Sequence, residues 1–190
     1  MKTKFIENKM HYSGKQLSPL YAYLEHQIMG NSIVSWMGSC NVGFEDMVDG
    51  EDFLEKSTIA GDEMLHFIVE AFDRDLFSAV SLQRILAGQI KDYLQSLLKN
   101  SEDSKFIHRK GDDLFWKDGK MSISIASRSA ISVQIHFAIN LTNAGTPVKT
   151  ASLQDLGICD IRKFATDVMQ NFAEEYLDVL QATQKVRPLY

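Results

Sequence analysis

Two neighbouring segments near the middle of the chain alternate large apolar with small or polar side chains, a period of two that belongs to strands and not to helices. Residues 120 to 127 read KMSISIAS, and residues 131 to 141 read ISVQIHFAINL. Met121, Ile123 and Ile125 occupy every second place in the first, and Ile131, Val133, Ile135, Phe137 and Ile139 do so in the second. Only Arg128, Ser129 and Ala130 lie between them, so the two are expected to pair as antiparallel strands. Just upstream, Asp118-Gly119 supplies a hairpin-type turn. The pairing predicts Ile123, Ile125, Ile135 and Phe137 on a buried face. Ser122, Ser124, Gln134, His136 and Asn140 are then expected on a concave face that opens to a cleft.

The rest of the chain supplies partners for this pair. In DEMLHFIVEAF, Met64, His66, Ile68 and Glu70 take one strand face and Leu65, Phe67, Val69 and Ala71 the other. Residues 32 to 37, SIVSWM, are also apolar on both faces, as expected near the centre of a covered sheet. Helical spacing dominates residues 76 to 98, where Leu76, Val80, Ile85, Leu86, Ile90, Leu94 and Leu97 recur. Asp160 is placed to cap a second long helix over residues 160 to 182. Ser18-Pro19 predicts the start of a shorter helix that stops at Gly30-Asn31, and residues 41 to 61 read as an acidic surface excursion. With 190 residues and no repeat or low-complexity linker, the expectation is one α+β domain over residues 1 to 190. Its central sheet is mostly antiparallel and flanked by helices.

Charge and cysteine content narrow the function. A formal net charge of -5 argues against bulk nucleic-acid binding. Two cysteines, Cys40 and Cys159, build neither a disulfide framework nor a four-thiolate zinc site, which fits a reduced, cytoplasmic protein. No run approaches the length of a membrane span, and the first residues lack the apolar stretch of a signal peptide. The spacing of His66, His136, Glu70 and Asp62 matches no compact metal motif, and Asp46, Asp49, Glu51 and Asp52 lack the spacing of an EF-hand. No metal site is expected. Tyr21, Tyr23, Trp36 and Trp116, taken as large amphipathic surface groups, favour a homodimer.

The candidate chemistry gathers on the alternating pair. Lys120 opens the first strand directly after a turn, where an ammonium reaches a ligand carboxylate or phosphate. His136 is the second catalytic candidate. Ser122, Ser124, Gln134 and Asn140 offer short hydrogen-bonding groups, and Arg128 at the strand end offers a bidentate anion contact. Neither a dinucleotide glycine motif nor a P-loop is present, and the residues specify no cofactor.

Several spaced segments resemble the uncharacterised DUF366 family: GKQL at 14 to 17, GNSIV at 30 to 34, MVD at 47 to 49, MLHFIVE at 64 to 70, KMSISIA at 120 to 126 and IHFAINL at 135 to 141. The resemblance covers almost the whole chain. More distantly, DGKMSI at 118 to 123 and HFAIN at 136 to 140 resemble the lysine-containing stretch and the following GIGIN-like strand of biotin and lipoate protein ligases, whose catalytic fold is shared with class II aminoacyl-tRNA synthetases. That likeness implies a carboxylate, acyl-adenylate or nucleotide ligand, with Lys120 at a carboxyl or phosphoryl group. The glycine-rich, arginine-containing adenylate loop of those ligases has only a reduced counterpart at Gly38 to Gly43. Two classes of function stay open: a transferase or ligase acting on an activated carboxyl or acyl group, and a noncatalytic small-molecule-binding or interaction protein.

Overall fold

A computed structural model describes residues 1 to 189 and turns the period-two segments into strands. In chain order the elements are β1 (Lys2–Phe5), α1 (Tyr21–His26), β2 (Ser32–Val42), α2 (Gly50–Glu55), β3 (Ile59–Phe72), α3 (Leu76–Leu97), β4 (Ile107–Lys110), β5 (Asp113–Trp116), β6 (Gly119–Lys120), β7 (Ser122–Arg128), β8 (Ser132–Asn140) and α4 (Ile161–Gln184). The central sheet has the order β1-β2-β3-β8-β7. Only β1 runs parallel to its neighbour, and the other pairs are antiparallel. A small antiparallel sheet, β4-β5-β6, stands beside it. The architecture is the expected α+β one, a mostly antiparallel sheet with flanking helices.

Both faces of the central strands are covered, which is why their sequences carry apolar groups at successive positions. On one face Leu65, Phe67 and Val69 of β3 and Ile135 and Phe137 of β8 pack against Leu86 and Ile90 of α3 and Phe164 and Phe172 of α4. On the other, Val34, Trp36, Met64 and Ile68 meet Ile6, Tyr12 and Tyr21. Asp160 caps α4 as expected, its Oδ1 accepting from the Lys163 N–H at 2.9 Å.

The β7–β8 register departs from expectation. Ser124 pairs with Phe137 and Ile125 with His136, so even positions of one strand share a face with odd positions of the other. Ser122 and Ser124 therefore lie on the helix side, while Ile123 and Ile125 share the opposite face with Gln134, His136 and Asn140. Two local causes set this arrangement. The connection closes through the Ser129 N–H to the Ser132 carbonyl at 2.9 Å, and that turn fixes the parity. Small side chains on the inner face also let α3 approach β7 closely enough for Gln83 Nε2 to reach Ser124 Oγ at 2.5 Å.

Other local expectations shift too. The turn before β6 is Lys117-Asp118, with Lys117 at φ 55, and Gly119 pairs with Trp116. A Cβ on Gly119 would stand 2.8 Å from the Thr150 backbone, so the glycine permits close approach and does not form the turn. KMSISIAS is not one strand: Lys120 ends β6, and the chain crosses into the central sheet at Met121. At the N-terminal side Ser18 caps nothing. Helix α1 begins after Leu20, at φ 64, whose N–H donates to buried Glu70 Oε1 at 2.8 Å. Of the four aromatic residues behind the homodimer expectation, Trp36 is 0% exposed, Tyr21 is buried and Trp116 half-buried. Tyr23 is on the surface and Trp116 partly so, which leaves two of the four as surface groups.

Candidate functional site

A cavity of about 460 Å³ opens on the sheet face away from α3 and α4 and extends over the β7 edge, within the size range of small-molecule sites. Buried Tyr12, Met64, His136 and Asn140 contribute its floor, and half-buried Ile123 and Ile125 of β7 an apolar wall. Asp46, Asp49, Glu51, Asp52 and Glu55, from the segment around α2, line its mouth. Lys120, Asp112 and Asp113 also belong to the lining.

The floor is a stack of rings. Tyr12 lies over His136 with centroids 3.6 Å apart and planes 12° from parallel, and His66 stacks against Trp36 at 5.2 Å. His66 and His136 are joined through Nδ1 and Nε2 at 3.1 Å, and His66 Nε2 meets the Gly38 carbonyl at 3.2 Å. Burial lowers His66 to about 4, against the opposing effect of the Gly38 hydrogen bond. Burial and the neighbouring His66 hold His136 well below the ordinary histidine range. Both rings are neutral at pH 7, which settles their tautomers. A carbonyl only accepts, so His66 carries its hydrogen on Nε2 and presents a bare Nδ1. His136 Nε2 must donate to it. His136 Nδ1 is left with a free lone pair and no protein partner among the described residues, on a ring that lines the cavity.

Lys120 is held from several sides. Its ammonium lies 2.9 Å from Asp113 Oδ2, and its carbonyl accepts from Asn140 Nδ2 at 3.1 Å and from the Ala151 N–H at 3.0 Å. Burial raises the pKa of Asp113, against the pull of Lys120. Asn140 Nδ2 also reaches the Ala151 carbonyl at 3.1 Å, tying β8 to the chain beyond it. Ser122 and Ser124 line the cavity from the edge strand but are engaged elsewhere. Ser122 Oγ accepts from the Leu114 N–H at 2.8 Å. Ser124 Oγ donates to Asp112 Oδ2 at 2.9 Å, and Arg84 pairs with the same carboxylate at 2.7 Å. Arg128 and Gln134 fall at the other end of the hairpin, outside the lining. Arg128 is exposed, and Gln134 donates to Ser132 Oγ at 2.7 Å. Five of the seven candidates thus line one cavity: Lys120, Ser122, Ser124, His136 and Asn140.

Sequence reasoning missed Tyr12 and the role of the acidic segment. Seven carboxylates line the cavity against a single cation, Lys120. Asp112 and Asp113 have basic partners, whereas Asp46, Asp49, Glu51, Asp52 and Glu55 have none among the described residues. The available signal was compositional: no Lys or Arg interrupts residues 41 to 55. Cys40 sits beneath this region, buried, its thiol pushed up to about 12 by burial, consistent with a packing role. No group of three or more metal-ligating side chains forms among the described residues.

A solved structure described as a protein of unknown function from Pyrococcus horikoshi superposes with a TM-score of 0.88 at 33% identity, covering 100% of both chains. The uncharacterised protein MJ0805 of Methanocaldococcus jannaschii is 33% identical over 97% of this chain and 84% of its own length. Biotin protein ligase from Leishmania major, in complex with biotinyl-5-AMP, gives a TM-score of 0.63 at 13% identity, covering 100% of this chain and 84% of the ligase. At that identity the likeness establishes the fold, which is the one shared by biotin and lipoate protein ligases. Residues 1 to 187 match the family described as Domain of unknown function (DUF366), and the chain belongs to that family.

Proposed function

We propose that the chain is a transferase or ligase acting on an activated carboxyl or acyl group bound in this cavity. The supporting observation is Lys120 at the end of β6, the single cation in the lining, whose ammonium pairs with Asp113 and whose carbonyl is held by Asn140. As a nucleophile adds to an acyl carbon, negative charge develops on the carbonyl oxygen, and a fixed ammonium stabilises it before the leaving group departs with its bonding pair. Ile123 and Ile125 offer an apolar wall to the body of such a ligand. A biotin ligase of the same fold is known with biotinyl-5-AMP, which is the kind of acyl-adenylate this assignment calls for.

A noncatalytic small-molecule-binding protein is the second reading. It is favoured by the five unpaired carboxylates, which repel a free triphosphate, and by the sequence having only a reduced counterpart of the ligases' adenylate loop. Incubating the protein with ATP, Mg²⁺ and a panel of organic acids separates the two. Pyrophosphate release that requires an acid, with a new acylated species by mass analysis, is expected of the ligase. Ligand-dependent thermal protection without release or any transformed species would replace it by the binding protein.

A further inference from the structure

Two unpartnered polar atoms face the cavity from its floor. Tyr12 is 2% exposed, and its hydroxyl has no hydrogen-bond partner among the described residues. Beside it, His136 is also 2% exposed and offers a bare Nδ1 lone pair, because the chain from the Gly38 carbonyl through His66 fixes its hydrogen on Nε2. Neither atom is sealed in the interior, so two unpartnered polar atoms of otherwise buried rings are open to one cavity and available to a ligand's polar end. A lone pair of this kind requires a donor from the ligand. The unpaired carboxylates of Asp46, Asp49 and Asp52 add that the donor is positively charged, since a cleft lined by one sign of charge concentrates the opposite sign.

We infer that the ligand of this cavity carries a protonated amine, which donates to His136 Nδ1 and lies beside the Tyr12 hydroxyl, its charge balanced by Asp46 and the neighbouring carboxylates. This deepens the acyl-group assignment and rests on it for the cavity being the ligand site. His136 acts here as a hydrogen-bond acceptor. It does not take the proton, because burial keeps its imidazole neutral. His136 stands four residues along β8 from Asn140, which holds Lys120, a separation of about 13 Å at roughly 3.3 Å per residue. The amine and the acyl group therefore occupy different ends of the ligand, or belong to two co-substrates, an amine and an acyl donor.

Calorimetry on the full chain with hexylamine, 1-hexanol and hexanoate tests this. The three probes share an apolar body and differ in the head group. Hexylamine is expected to bind at least tenfold more tightly than 1-hexanol. Tyr12→Phe keeps the stacked ring and removes the hydroxyl, and Asp46→Asn removes a half-buried charge at the mouth. Each is expected to weaken hexylamine threefold or more and leave 1-hexanol unchanged. Equal affinity for amine and alcohol, or amine binding indifferent to both variants, would overturn the inference and leave the acyl assignment standing. Hexanoate read with Lys120→Met probes that assignment separately: hexanoate binding that ignores Lys120 would overturn it without touching the amine.

Discussion

His66 and His136 are imidazoles that the folded chain keeps neutral and the unfolded chain does not. The folded pKa of each lies below 6.5, His66 at about 4 and His136 well down, with burial the leading cause in both. Between pH 6.5 and about 4 the unfolded chain therefore takes up protons that the folded chain refuses. Stability rises with pH wherever the unfolded state binds more protons, so this contribution is complete above pH 6.5 and is lost as pH falls through the window. The shift of His66 alone corresponds to about 3 kcal/mol by pH 4. Urea unfolding at pH 7 and pH 5 is expected to show a clearly lower midpoint at pH 5. Equal midpoints would mean that the two rings are not enclosed as a neutral pair.

Helix α3 carries a glycine that its own geometry does not need. A Cβ on Gly88 would meet nothing within 4 Å, and the position is in a regular helix. Gly88→Ala is expected to raise stability by about 1 kcal/mol in thermal or urea unfolding, and a destabilised variant would reveal a contact that this packing lacks. Elements of this kind were legible in sequence. The 3.6-residue spacing of α3, and the apolar runs of β2, β3 and β8, report burial that the strand or helix itself determines. What was not legible depends on partners distant in the chain. The face on which Ser122 and Ser124 lie is set by a turn and by α3, more than 30 positions upstream in part, and one residue of register inverts it. Met121, where the chain changes sheets, looks like any other apolar position of KMSISIAS. The carboxylates at 46 to 55 read as solvated because an acidic loop has the same composition whether it faces water or a cavity. Tyr12 reaches that cavity from an N-terminal segment with no strand periodicity of its own, brought there because Gly38 lets the Met10 backbone cross β2: a Cβ on Gly38 would stand 1.8 Å from the Met10 carbonyl oxygen.

Over the whole molecule the charge is modest, -5, yet it is unevenly placed, with five unpaired carboxylates at one mouth and Lys120 alone among them as a cation. Such a field attracts positive and repels negative charge at that mouth. Among the described residues no helix is long and apolar enough to cross a membrane. The fold is shared with biotin and lipoate ligases, but at 13% identity the chemistry has to be argued from the side chains present, and Lys120 is where the acyl assignment is most exposed. Lys120→Met keeps most of the apolar stem and removes the ammonium. With circular dichroism confirming an intact fold, calorimetry and turnover on the acyl ligand identified by the organic-acid panel are expected to show a loss of about tenfold or more, which is roughly 1.4 kcal/mol. A fully folded Lys120→Met chain with unchanged binding and unchanged turnover would contradict the assignment.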